Sequence, residues 1–199
     1  MKTKQQILRM VELAMLAAII VVLQQIVIPL PGGLTLSLVL VPIVVGAVLF
    51  GPAAGAILGG VVGAGVTFLV MTARAGELST MMWVANPLVT ALVCIIKGVG
   101  AGFAAGLIAR AFKKRAFAGI VLAAAIAPVV NTGIFLVGML TVFREVMMTF
   151  AANIGMGGTG AIYFAVVVLV GVNFIIELAA NLILSPSIAA IVKAVRKSA

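Results

Sequence analysis

Lys97 and Glu177 are charges set inside apolar stretches, where an unpartnered charge is expensive and points to a cavity, a partner or a functional path. Asn173, Glu177 and Asn181 recur at i, i+4 and i+8, which puts all three on one face of a helix. Asn86, Thr90, Cys94 and Lys97 follow a similar spacing upstream, and Asn131-Thr132 stands just after Pro128. Three segments therefore offer amides, hydroxyls and charges that can converge. Such groups hold and orient a polar solute; they do not by themselves make or break bonds.

Lys97 and Glu177 are expected to pair, or to lie near one another. They have a structural reading as an ion pair, or with Lys97 reaching to the membrane interface, and a sharper one as a proton- or ion-coupling pair. The sharper reading is the weaker, because one carboxylate with no histidine and no aspartate makes a poor relay. The same lack of His and Asp excludes serine–histidine triads, histidine–metal sites and paired-aspartate phosphotransfer. No G-x-x-x-x-G-K-[ST] loop occurs, so the chain has no P-loop ATPase motif of its own and is not expected to be an enzyme. Neither a metal nor a cofactor is expected. Cys94 is the only cysteine, which rules out a disulfide within the chain and reads as a small buried hydrophobe. Gly155 to Gly160, glycine-rich but without a following lysine, reads as a mobile connection rather than a phosphate cradle.

The elements that must position these residues are membrane helices. Hydrophobic residues are 65% of the 199 positions and charged ones 9%, against about 45–50% and 25% in soluble domains. Mean hydropathy is +1.40. Apolar runs at about 10–28, 34–50, 53–72, 82–109, 116–142 and 161–192 give an all-α integral membrane protein of six transmembrane helices in a single membrane domain, 1–199. Pro29, Pro31, Gly32 and Gly33 interrupt the first run, and Gly51-Pro52 makes a tight hairpin between the second and third. The first run has the charged start of a signal peptide but no convincing cleavage site, and reads as a retained helix.

Thirteen Lys and Arg against four acidic residues give a net charge of +9, and the basic residues cluster at helix ends rather than in a nucleic-acid patch. Lys2, Lys4 and Arg9, then Arg110, Lys113, Lys114 and Arg115, then Lys193, Arg196 and Lys197 fall on one side only if the helix count is even. Short cytoplasmic loops carry the positive excess, so both termini are expected to be cytoplasmic. The segments around Pro29–Gly33, Arg74–Met81 and Arg144–Gly160 then face outward. Small residues let helix backbones approach closely in lipid. Gly55, Gly59 and Gly63, and Gly98, Gly102 and Gly106, fit internal packing or a docking face; Ala14 and Ala18 make a shorter stripe.

The run from Leu38 to Ala56, with Pro42, Gly46, Gly51-Pro52 and Gly55, resembles the helix 2 to helix 3 hairpin of substrate-binding S components of energy-coupling factor (ECF) vitamin transporters. Lys97 to Gly102, Pro128 to Thr132, and Asn173 to Glu177 with Asn181 are similar to later parts of the same family. The resemblance covers nearly the whole chain. It implies a substrate-capture subunit in the cell membrane that binds a water-soluble vitamin from outside. The subunit would dock through helices 1 to 3 on a transmembrane T component coupled to two ATPase subunits. By that likeness Ala14 and Ala18 match the docking motif, and the solute sits in the outer half, between helices 4 to 6 and the loops after helices 1, 3 and 5. Trp83, Asn86, Asn131 and Asn173 match the binding region, Arg74, Glu77, Arg144 and Glu145 stand as lid groups, and Lys97 and Glu177 lie below. One Trp and one Tyr offer few rings for stacking a flat heterocycle, which leans toward a smaller solute such as pantothenate over riboflavin or folate. A self-sufficient secondary transporter is the alternative, and a structural or assembly subunit without a solute a third reading.

Overall fold

A computed structural model describes residues 2–26, 28–29, 35–36 and 38–198; Pro31, Gly32 and Gly33 lie outside the described residues, as do the side chains of Lys2, Lys4, Pro29, Arg196 and Lys197. Apart from turns, the described residues are helical except for one short antiparallel pairing. In order the chain forms α1 (Lys2–Gln25), β1 (Ile28–Pro29), β2 (Thr35–Leu36), α2 (Leu40–Phe50), α3 (Pro52–Met71), α4 (Glu77–Ala85) and α5 (Pro87–Ala111). After a 3₁₀ turn at Lys113–Arg115 come α6 (Ala116–Thr141), α7 (Arg144–Asn153), α8 (Ala161–Tyr163), a π-helical stretch Phe164–Gly171 and α9 (Val172–Ser198). The strands pair Ile28 with Leu36 and Pro29 with Thr35.

Among the described residues, five helices are long and apolar enough to cross a membrane: Gln5–Gln25, Pro52–Met71, Pro87–Ala111, Lys113–Thr141 and Ala161–Val195. The expected second span, 34–50, is different. Thr35–Leu36 belongs to the strand pair, and α2 has 11 residues, about 16 Å of helix against a hydrocarbon core of about 30 Å. Gly51, at φ +91°, ends α2, and Pro52 opens α3 at a position where its missing N–H costs nothing.

The expected helix at 82–109 is broken in two. Asn86 is extended, φ −157° and ψ 93°, as a residue before proline prefers, and its Oδ1 accepts from the Val89 N–H at 3.1 Å as the N-cap of α5. Thr90 Oγ1 donates across the break to the Met82 carbonyl at 2.9 Å. The stretch Arg144–Gly160, expected as a loop, contains α7, which ends in a Schellman motif. Gly155 is left-handed there, Met156 N–H donates to Ala151 O at 2.7 Å, and Gly155 N–H donates to Ala152 O at 3.0 Å. The first glycine of that run is thus a helix stop. α3 ends the same way, but with Ala73 in the left-handed position at φ 54°.

α3 and α5 meet backbone to backbone. A Cβ on Gly59 would fall on the Gly98 carbonyl and one on Gly98 on the Gly59 carbonyl; Gly55 and Gly102 repeat the relation one turn away. The glycine stripes therefore serve internal packing. Around this axis the buried side chains form three clusters; one joins Ile20, Leu40, Ile43, Leu58 and Val62 of α1, α2 and α3, and the other two mark the ends of the bundle. One comprises Leu78, Met82, Phe143, Met147, Phe150 and Phe164 beneath α4 and α7; the other gathers Val44, Val45, Ala123, Ala124, Ile188 and Val192. α1 lies at the edge, burying Ile20 and Gln24, whose Nε2 donates to the Val62 carbonyl at 2.8 Å. Arg9 donates to the Phe50 carbonyl at 2.7 Å, at the end of the bundle that also carries Arg110 and Lys113. Arg74 donates to Gln25 Oε1 at 3.2 Å at the opposite end.

Candidate solute cavity

The chain leaves a polar cavity between its two packed ends. Its volume is about 140 Å³, and its wall draws on α2, α3, α4, α5, α6, the π-helical stretch and α9. Lys97 enters from α5, Asn131, Thr132 and Phe135 from α6, Asn173 and Glu177 from α9, and Ser79 from α4; Val39, Leu40, Val62, Val66, Ala75 and Val170 complete it. The stripe spacing explains the α9 contribution: two residues one turn apart face the same space. On α6, Pro128 lacks the N–H that would bind the carbonyl one turn earlier, and the two polar residues of the wall follow it by three and four positions.

The electrostatics are uneven. Lys97 Nζ lies over the Phe135 ring, 5.3 Å from its centroid, and has no direct ion-pair contact with Glu177, although its charge acts on that carboxylate across the cavity. Glu177 is 7% exposed, and its Oε2 has no hydrogen-bond partner; neither has Asn173 Oδ1. An unpaired buried acceptor costs about 1–3 kcal/mol, and Asn181 Oδ1, away from the cavity wall, is in the same state. Asn181, 2% exposed, donates from Nδ2 to the Glu177 backbone carbonyl at 2.9 Å and does not line the cavity. α2 starts at this depth with Val39 and Leu40 in the wall; the Val41 N–H already donates to the Leu38 carbonyl at 3.2 Å and Pro42 has no N–H, so what the start of α2 brings to this space is its positive dipole end.

Against this geometry, the model of the family described as ECF transporter, substrate-specific component, matches residues 8–189. The chain belongs to that family. No curated protein sequence matches it. The S component is accordingly a multi-pass integral membrane protein and a transport-specificity subunit rather than an enzyme.

Of the residues singled out in the sequence, the S component brings Lys97, Asn131, Asn173 and Glu177 to one cavity. Trp83 and Asn86 are elsewhere: Trp83 is half-buried on α4, and the exposed Asn86 is occupied in capping α5. Arg74, Glu77, Arg144 and Glu145 are exposed at the end of the bundle where α4 and α7 pack. Glu77 and Glu145 share a shallow groove between those helices with Thr80, Met81, Val84 and Thr149, and each sits in a first turn where a carboxylate suits the helix dipole. Ala14 and Ala18 are exposed on α1 beside Met10, Val11 and Met15. Ser79 and the start of α2 escaped the sequence reading. Ser79 lies in one of the outward-facing segments, and a mostly apolar run from Leu34 to Phe50 reads as one span rather than as a strand followed by a half-length helix.

Proposed function

We propose that this S component captures a small amphoteric, water-soluble vitamin or related micronutrient from outside the cell. It then delivers the solute through a T component driven by two ATPase subunits. The observation that carries this reading is the polar cavity lined by Lys97, Asn173 and Glu177, with the positive dipole end of α2 beside it and unpartnered acceptors on Asn173 and Glu177. The cation and the dipole end suit a carboxylate or other anionic group, while the free acceptors suit a hydroxyl or amide N–H. At about 140 Å³ the space is well below the roughly 300–1,000 Å³ of sites for drug-sized ligands, which favours a compact solute such as pantothenate over riboflavin or folate. With Phe135 the single aromatic residue among the described residues of the wall, the cavity offers no stacked pair for a flat heterocycle.

The orientation follows from charge. Arg9, Arg110 and Lys113 share one end, and the positive-inside rule makes that end cytoplasmic, with both termini, in the cell membrane. The strand pair and α2 together stand as the sixth crossing, with Arg74 and the α4–α7 groove outside as lid groups. Native mass spectrometry of the purified protein should release one small solute, which isothermal titration should show rebinding to the solute-free protein. Recovery of no solute, with no heat for any vitamin carrying a carboxylate and a hydroxyl, would overturn this reading.

A further inference from the structure

A second cavity, of about 460 Å³, opens at the basic end of the bundle and takes no part in the solute cavity. Its walls are small or apolar, among them Ala47, Val48, Leu49, Ala53 and Ile120, and its charges are Arg110 and Lys113. No carboxylate lines it, and neither cation has an ion-pair partner among the described residues. Two helices begin at its edge. α3 starts at Pro52 and α6 at Ala116, and neither has a side-chain cap, so both present free N–H groups and positive dipole ends. The opposing ends are offset: Arg110 lies in the last turn of α5, and Arg9 donates to the Phe50 carbonyl that ends α2. The net field in the cavity thus favours an anion.

We propose that this cavity binds the phosphate headgroup of an anionic phospholipid, with Arg110 and Lys113 on the phosphate. Its glycerol and first methylenes would lie against Val48, Leu49 and Ile120. Because the helices span the membrane, the helix ends that frame the cavity lie at headgroup depth, where phospholipid is the abundant ligand that joins a phosphate to an apolar body. The exposed Ile57, one turn beyond Ala53, and the exposed Phe117, next to Ala116, continue an apolar surface from the rim for the acyl chains. A free phosphate would use the cations and leave those walls unfilled.

The test is native mass spectrometry of the whole protein, stripped of lipid in detergent and then offered phosphatidylglycerol or phosphatidylcholine of equal chain length. One phosphatidylglycerol should be retained per chain, in preference to phosphatidylcholine. The R110Q/K113Q protein should hold it about thirty-fold more weakly, the combined effect of two basic groups at about 1 kcal/mol each. K114Q/R115Q, with the same charge change outside the cavity wall, should retain it. Equal retention of the two lipids, loss of retention in both double variants alike, or no loss in R110Q/K113Q would overturn the proposal. Full displacement by inorganic phosphate would assign the cavity to a free anion and overturn it too. Absence of any lipid adduct would do the same, leaving the face to a protein segment.

Discussion

The carbonyl oxygens of Gly59 and Gly98 each occupy the place where the other residue's Cβ would be. α3 and α5 are therefore as close as two backbones can come, and the contact is repeated by Gly55 with Gly102. In lipid, association of helices rests on such packing rather than on a hydrophobic driving force.

A single methyl at this contact should therefore be felt throughout the fold. Gly59→Ala or Gly98→Ala is expected to destabilise the protein by about 1–3 kcal/mol, the usual cost of overpacking, with Gly59→Leu preventing assembly of the bundle. Gly60→Ala, whose Cβ would meet Val99 at an ordinary 3.6 Å, is the control. Thermal unfolding in detergent reads the difference, and equal midpoints for Gly59→Ala and Gly60→Ala would contradict the packing.

The asparagines should separate into two classes. Asn131→Ala and Asn173→Ala remove amides from the cavity wall and are expected to weaken solute binding by roughly 5- to 150-fold, the equivalent of about 1–3 kcal/mol. Asn86→Ala removes an N-cap and is expected to lower stability by about 1 kcal/mol with little change in affinity. Asn181→Ala, away from the wall, should leave affinity nearly unchanged. Isothermal titration beside thermal unfolding decides it: loss of affinity at Asn86 or Asn181 larger than at Asn173 would move the pocket.

The difference between Asn173 and Asn86 shows what a sequence of this kind discloses. Periodicity placed Asn173 and Glu177 on one face, and a face is what a cavity reads, so their convergence with Lys97 and Asn131 was legible. Asn86 was read as a member of a helical stripe because the apolar run continues past it. The Asn86-Pro87 pair did signal a break, since an extended residue before proline and an Asn cap point to the same boundary. The half-length α2 was hidden for another reason. Residues 34–50 are mostly apolar, with only Thr35 and Ser37 polar, and hydropathy measures what surrounds a segment rather than its backbone path. The packing role of the glycines stood open for a similar reason, because spacing names a face without naming its partner.

Ala73 offers a test of local backbone chemistry next to Arg74. It takes the left-handed position of the Schellman motif that ends α3, a position glycine fills at no steric cost. Ala73→Gly is expected to raise stability by up to about 1 kcal/mol, and Arg74 should keep its hydrogen bond to Gln25. An unfolding midpoint lower than that of the unaltered protein would mean that the Ala73 methyl makes a contact worth more than the strain.

The exposed small face of α1 is the last prediction, and it separates capture from delivery. Ala14 and Ala18 lie one turn apart on the least buried of the five long spans, whose buried side chains among the described residues are Ile20 and Gln24, and both alanines are exposed. A partner helix can approach such a stripe closely, and a large side chain there would hold it away. Replacing both alanines by Leu should therefore abolish ATP-driven uptake in vesicles that contain the T component and the ATPases. Solute binding to the isolated S component should stay within about twofold, since neither residue lines the cavity. Loss of solute binding in the double variant would show that α1 supports the cavity itself. Normal assembly and uptake would remove this face from the docking surface and direct attention to the exposed residues of α3.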